Sequence, residues 1–189
     1  MGCILQSLQY FTVSMLQLIF ATATSPLCIV YDFYDTSLGK TLIASSENKI
    51  CYVGFTDKYE ELYNSFSRLN VQVEFIQAKD AIHVQACASL LSDVAPPEFV
   101  CFASGFEQEI LTCLLKIPRG KTISYGDIAK SIGRPYAARA IGTAVGKNRI
   151  SYFIPCHRVI KSDGTMGEYH WGKDIKKRLL QEEGAHAVV

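Results

Sequence analysis

The chain has 189 residues, 49% hydrophobic and 20% charged, and its 19 Lys+Arg against 18 Asp+Glu leave a formal net charge of +1. This composition excludes a disordered chain, a collagen-like repeat and a coiled coil; at this length a fold buries roughly 70% of the surface its unfolded chain exposes, with no need of a disulfide or metal staple. The near-zero charge also counts against a strongly basic nucleic-acid binder, but it is an average: Met1 to Leu115 holds 5 Lys+Arg and 12 Asp+Glu, a net −7, whereas Lys116 to Val189 holds 14 and 6, a net +8. Such asymmetry fits a polyanion-facing second half, and it fits equally two solvated surfaces of opposite sign docked on each other.

Residues 1–31 carry no charge, and Met15 to Ala23 is apolar enough to resemble a signal-peptide core. No Lys or Arg precedes that run, as a secretory leader requires, and Gln9, Thr12, Ser14 and Gln17 interrupt it, which argues against a spanning helix. Met1-Gly2 lacks the Ser or Thr at the sixth position that myristoylation needs. Residues 1–24 are therefore expected to be an irregular N-terminal extension of unclear role, with Met15 as an alternative start.

From Cys28 to Phe55 the pattern is that of strands: Cys28 to Tyr34, a turn at Leu38-Gly39-Lys40, then Thr41 to Ala44 and Ile50 to Phe55, together an antiparallel meander. Asp57 to Leu69 places Tyr59, Leu62, Tyr63 and Phe66 at helical spacing, Val71 to Ile76 alternates as a strand does, and Ala81 to Leu91 reads as a helix. Strands followed by helices make a small α+β unit. Ala95-Pro96-Pro97-Glu98 is the clearest linker.

Beyond it the pattern turns mainly helical. Phe106 to Leu115 carries Phe106, Ile110 and Leu114 on one stripe, and Ile117-Pro118-Arg119-Gly120 stops it. Ser124 is placed to cap a helix over Tyr125 to Ser131, with Asp127 in its first turn where the helix dipole favours a carboxylate. Gly133-Arg134-Pro135 turns the chain, and Tyr136 to Val145 forms a second helix. Two short helices around a Gly-containing turn are a helix-turn-helix candidate, although any helical domain contains such corners. The second helix is made of small residues, Ala137, Ala138, Ala140, Gly142, Thr143 and Ala144. Helix packing explains Ala137, Ile141 and Ala144, but it leaves Arg139 without a role.

The seven cysteines, Cys3, Cys28, Cys51, Cys87, Cys101, Cys113 and Cys156, include no CxxC pair, and their odd number leaves at least one thiol free, which suits a reducing compartment. Six stand in apolar surroundings and are expected to behave as small buried hydrophobes. Cys156 differs. It follows an apolar strand-like run from Ser151 and lies between Pro155 and His157, where His157, Arg158 and Arg139 are placed to stabilise a thiolate. A Cys-His pair alone is a weak signal, since most are structural or occasionally metal ligands.

Ile154-Pro155-Cys156-His157-Arg158-Val159 resembles the active-site signature of the O6-alkylguanine-DNA alkyltransferases, the methylated-DNA–protein-cysteine methyltransferases. The resemblance extends to Ile117-Pro118-Arg119-Gly120-Lys121-Thr122-Ile123-Ser124-Tyr125-Gly126, Ala137-Ala138-Arg139-Ala140-Ile141-Gly142, Asn148, Gly167-Glu168-Tyr169-His170-Trp171-Gly172 and Leu179-Leu180-Gln181-Glu182-Glu183-Gly184, in order, over nearly all of residues 99–184. It implies a ribonuclease-H-like N-terminal domain over 25–97 and, over 98–185, a helical DNA-binding domain of winged helix-turn-helix type that carries the active site.

The resemblance also implies a suicide repair reaction: the lesion base is rotated out of the duplex, and Cys156 takes the alkyl group from guanine O6, with O4-alkylthymine a possible second substrate. His157 would deprotonate Cys156 through a water and Glu183 would orient His157, Glu182 being the neighbouring contender. Tyr125 would donate to the guanine ring, Asn148 would organise the active-site turn, and Pro155, Val159 and Tyr169 would line the pocket. Arg139 would fill the space the flipped base leaves, on a helix lying in the minor groove, with Ala138, Tyr136, Ser124 and Gly142 also against DNA. No metal and no cofactor are expected, because Cys3, Cys28, Cys51 and His83 lack convincing ligand spacing. The expected partner is duplex DNA carrying the lesion, bound by a monomer in the cytoplasm, or in the nucleus of a eukaryote.

Three departures stand out. Arg149 and Ser151 occupy positions where many relatives carry proline, which predicts a less rigid loop; Leu111 replaces a frequent core Trp; and the N-terminal match rests mainly on Thr36-Ser37-Leu38-Gly39. Two other function classes compete. A non-catalytic lesion-recognition or helix-turn-helix regulatory protein would not need Cys156, His157, Tyr125 and Glu183 together, and a Cys-His hydrolase leaves the Arg139 helix unexplained.

Overall fold

The computed structural model describes residues 9–13 and 16–185, and the chain forms two compact units. The first runs to Ser104 and includes Arg149–Ser151; the second comprises Gly105–Asn148 and the residues from Tyr152 onward.

In the first unit β1 (Gln9–Val13) and β2 (Leu16–Ala21) form an antiparallel hairpin, followed by β3 (Leu27–Thr36), β4 (Gly39–Ser46), β5 (Lys49–Gly54), α1 (Tyr59–Phe66), β6 (Val73–Gln77), α2 (Ala81–Ala88) and β7 (Phe99–Phe102). The seven strands make one sheet in the order β1-β2-β7-β5-β4-β3-β6. The expected meander is β3, β4 and β5, antiparallel throughout. Its first turn needs Gly39, whose φ of +99° is open to glycine alone at little cost, and Thr36 Oγ1 closes it by accepting the Leu38 N–H at 3.1 Å. α1 buries Leu62 and Phe66, and α2 is capped by Asp80, whose carboxylate accepts the Ile82 N–H at 3.1 Å.

The extension is the first correction. Leu18, Ile19, Phe20 and Ala21 are buried, and β2 runs parallel to β7 instead of being irregular. A parallel strand covered on both faces reads as an unbroken apolar run, the same signal as a leader, so periodicity does not separate them. β7 itself lies past the Pro96-Pro97 linker.

The loop before the signature is the second. Val53 and Ile150 form a parallel bridge, with Val53 N–H to Arg149 O at 2.8 Å and Ser151 N–H to Val53 O at 3.1 Å. Arg149 is 9% exposed. Its Nε and Nη2 donate to Ser65 O at 3.1 and 2.8 Å, Nη1 donates to Phe102 O, and the guanidinium lies 5.7 Å from the Phe66 ring centroid. Hydrogen bonds thus fasten what proline would have stiffened. Arg149→Ala leaves two buried carbonyls without these donors, and urea unfolding is expected to show a loss of about 3 kcal/mol.

The second unit contains α3 (Gly105–Leu115), β8 (Ile123–Ser124), α4 (Tyr125–Ser131), α5 (Ala138–Gly146), β9 (Val159–Ile160) and α6 (Lys173–Glu182). α3 buries Ile110, Leu111, Leu114 and Leu115, so Leu111 serves the core where a Trp was the common residue. Ser124 caps α4 as its sequence foretells: Oγ accepts the Asp127 N–H at 3.0 Å and donates to the Asp127 carboxylate at 2.7 Å. The helix ends in a Schellman turn on Gly133, φ +70°, with Gly133 N–H to Lys130 O and Arg134 N–H to Ala129 O. α5 begins at Ala138, two residues later than its composition suggests, and buries Ile141, Ala144 and Val145.

The run from Ser151 is not a strand. Residues 151–153 form a turn, Cys156–Arg158 a single 3-10 turn, and only Val159 and Ile160 pair, parallel to β8. Tyr152 at φ +72° and Pro155, which has no N–H, both break strand geometry. Of the six described cysteines, all free, Cys51, Cys101 and Cys156 are buried, Cys87 and Cys113 are half-buried and Cys28 is exposed. Cys28 thus departs from the expected burial, and Cys3 lies outside the described residues. No helix among the described residues is long and apolar enough to cross a membrane.

Candidate active site

Cys156 opens the 3-10 turn, the residue 6% exposed. Buried Asn148 reaches it from the end of α5: Nδ2 donates to Ile154 O at 2.8 Å and to Cys156 Sγ at 3.1 Å. One amide therefore shapes the turn and marks its reacting atom. The Tyr169 hydroxyl lies 3.9 Å from the sulfur. Burial pushes the Cys156 pKa up; the bonds from Asn148 and Tyr169 and the charge of Lys176 pull it back only in part. The resting group is a thiol rather than the preformed thiolate suggested by the basic surroundings in sequence.

Those surroundings are assigned differently in space. Arg158 is bound to Glu183, Nε to Oε2 at 2.9 Å and Nη2 to Oε1 at 2.8 Å, and its Nη1 donates to Ile117 O. Arg139 is exposed on the first turn of α5. The cation acting on the sulfur is Lys176, wholly buried in α6; its Nζ donates to Val159 O at 2.7 Å and to Met166 O. Desolvation lowers the Lys176 pKa to about 8.

His157 is fully buried, and its Nε2 meets Glu183 Oε1 at 3.0 Å. Burial pushes its pKa below the ordinary imidazole value, against the opposing pull of Glu183, so the ring is neutral at neutral pH. Glu183 accepting at Nε2 puts the ring proton there and leaves Nδ1 as the basic nitrogen. Nδ1 is buried and has no hydrogen-bond partner among the described residues, which leaves it free to accept a proton. Burial alone would raise the Glu183 pKa, but hydrogen bonds and charge from His157 and Arg158 outweigh it and hold the carboxyl at about 2. With His157 neutral, Arg158 is the lasting counter-charge.

Two family models match the chain. Residues 105–185 match the 6-O-methylguanine DNA methyltransferase, DNA binding domain, and residues 29–91 its ribonuclease-like domain. The methylated-DNA–protein-cysteine methyltransferase of Methanosarcina acetivorans is 34% identical over 157 residues, covering 82% of this chain and 98% of the relative. The chain belongs to the methylated-DNA–protein-cysteine methyltransferase family. The bifunctional transcriptional activator/DNA repair enzyme Ada of Escherichia coli is 32% identical over 83% of this chain, which spans only 46% of that longer protein. The crystal structure of Mycobacterium tuberculosis OGT in complex with DNA superposes with a TM-score of 0.64 at 28% identity, covering 83% of this chain and 92% of the other.

Within this methyltransferase fold the other expected site residues take definite places. Tyr125 opens α4, half-buried, and burial followed by the nearby Cys156 raises its pKa, so it remains a phenol able to donate. Gly142 faces that ring: a Cβ there would stand 3.8 Å from Tyr125 Cε1, in ordinary van der Waals contact. Ala138 is half-buried, while Tyr136 is completely exposed. Pro155 and Val159 are buried. The Val159 N–H donates to Cys156 O, and its carbonyl accepts from the Lys176 ammonium at 2.7 Å.

Two residues escaped the sequence reading of the site. Lys176 sits among Lys173, Lys177 and Arg178, but helical spacing places it with Leu179 and Leu180, and that is the signal that marks it as inward. Gly120 has φ +76°, and a Cβ on it would stand 2.8 Å from the Glu183 carbonyl oxygen. The Pro118-Arg119-Gly120 turn therefore closes directly on the backbone that carries Glu183.

Proposed function

We propose that this chain repairs duplex DNA by moving an alkyl group, typically methyl, from guanine O6 to Cys156 in a single irreversible turnover. The observation that carries the reading is one thiol held by Asn148 beside a buried His157–Glu183 pair, in a chain of this family. The neutral imidazole removes the thiol proton at Nδ1, directly or through a water, and the Glu183 carboxylate stabilises the imidazolium that forms. The sulfur attacks the alkyl carbon; the S–C bond forms as the C–O6 bond breaks, and the bonding pair stays on O6. Tyr125 donates to the guanine ring as that charge develops, and the proton taken by His157 balances the one the departing base needs.

Sulfur is both nucleophile and final acceptor, so the reaction requires no cofactor, and a thioether offers no route back to the thiol. A stacked, paired base hides its O6 substituent, which makes extrusion a requirement. Exposed Arg139 on the small-residue face of α5 is suited to enter the space left behind, with Ala138, Tyr136, Ser124 and Gly142 along the same approach. The basic second half then faces phosphate, and the protein works as a monomer wherever the DNA lies, in cytoplasm or nucleus.

The test is the stoichiometry of transfer from a duplex carrying labelled O6-methylguanine. One methyl per chain is expected, after which transfer stops, with lesion binding that weakens as salt rises. Continued turnover, or no transfer at all, contradicts the reading.

A further inference from the structure

We propose that Tyr152 is a positioning residue for alkyl transfer, its ring acting as a flat stop that fixes the plane of the His157 imidazole. The two rings are nearly parallel, 11° apart with centroids at 6.3 Å, within the range of offset aromatic pairs. Phe153 meets Tyr152 edge-on at 5.2 Å and 86°, so the stop is itself supported. The inference rests on the proposed role of His157 as base.

A second constraint on His157 is needed for a geometric reason. The hydrogen bond from Nε2 to Glu183 fixes one edge of the ring at 3.0 Å but permits rotation about the bond axis. Such rotation reorients Nδ1, the unpartnered nitrogen that the proposed mechanism uses as the base. A surface parallel to the ring removes that freedom, much as supporting contacts orient a histidine bound to metal.

The backbone at Tyr152 argues the same way. Its φ of +72° lies in the left-handed region, where Gly or Asn sits easily and a bulky aromatic does not. The chain holds an aromatic ring where its backbone favours none. Glu183, Arg158 and Lys176 are the charged groups acting on His157, and Glu183 meets it at the ring edge, through Nε2.

The experiment compares wild type with Tyr152→Phe, Tyr152→Gly and Tyr152→Asn, in single-turnover transfer at saturating lesion duplex across pH, alongside DNA affinity and thermal unfolding. Gly and Asn both suit the backbone, so the fold persists without the ring. Tyr152→Phe is expected to match wild type. Tyr152→Gly and Tyr152→Asn are expected to transfer about tenfold more slowly or worse, with unchanged DNA affinity and undiminished thermal stability. Their acid limb should move to higher pH, because water reaching His157 restores its ordinary basicity. Wild-type rates and an unmoved pH profile in both ringless variants overturn the inference, as does an equal loss in Tyr152→Phe. If wild type itself transfers nothing, it is the functional reading that fails.

Discussion

Cys156→Ala is expected to abolish alkyl transfer while leaving affinity for lesion-bearing duplex intact. In the proposed mechanism the loss is complete because one sulfur holds two roles: it attacks carbon and it retains the product. Retained binding follows from the proposed placement of the DNA contacts on α5. Arg139 and the exposed face of α5 present no dependence on the thiol, and Asn148 keeps its bond to Ile154 O at 2.8 Å, so the turn survives. The deleted atom is small and its residue 6% exposed, and the change in stability is expected to stay near about 1 kcal/mol. Chemistry and recognition thus separate in one variant. A parallel loss of binding would mean that the variant had collapsed the turn, which circular dichroism and melting would register.

Glu183→Gln is expected to reduce the single-turnover rate by about 100-fold to 10,000-fold, on the scale of mis-set histidine tautomers in other relays. The carboxylate only accepts, so it fixes the proton of His157 on Nε2. An amide turned to donate there places the proton on Nδ1 instead, and Nδ1, the proposed base, then has no lone pair to offer. Stability falls as well. The Glu183 side chain is 3% exposed, and its pKa stands at about 2 in the fold against an ordinary 4.5, a difference equivalent to about 3 kcal/mol. Because the folded value is the lower one, this stabilisation is fully present above about pH 4.5 and is lost as pH falls toward about 2. Wild type is therefore expected to lose stability across that window, and Glu183→Gln to lose less of it, in urea titrations at stepped pH. His157 has a different window: its folded pKa is below the ordinary 6.5, so its unfavourable protonation begins to weaken the fold as pH drops through that value, while transfer persists in mildly acid solution.

The parts of this molecule legible from sequence are those whose causes are local. Ser124 with Asp127 announces a helix start because the cap and its carboxylate lie within one turn, and Gly39 and Gly133 mark turns because few residues adopt their backbone angles. The active-site signature and its four companion motifs carried the resemblance, and the −7 and +8 halves agree with the division into a sheet unit and a helical unit. What stayed hidden depends on distant partners. β2 joins the rest of the sheet through β7, some eighty positions later by register. Arg149 looked like a loosened proline site until Ser65 O and Phe102 O supplied its acceptors. Arg158 appeared to belong to the thiolate, and the carboxylate that claims it is 25 positions away. Four residues ahead of the 3-10 turn at Cys156, Tyr152 adopts an angle that its side chain disfavours, which no propensity foretells.

The central claim is that Cys156 is the terminal acceptor. Its most direct measurement is peptide mapping by tandem mass spectrometry after reaction with a duplex carrying O6-methylguanine. The expected result is a gain of one CH2 on Cys156 alone, with unmodified guanine left in the DNA. A methyl group found on Cys28, Cys113 or a histidine instead, or released as methanol from an unmodified protein, would contradict it.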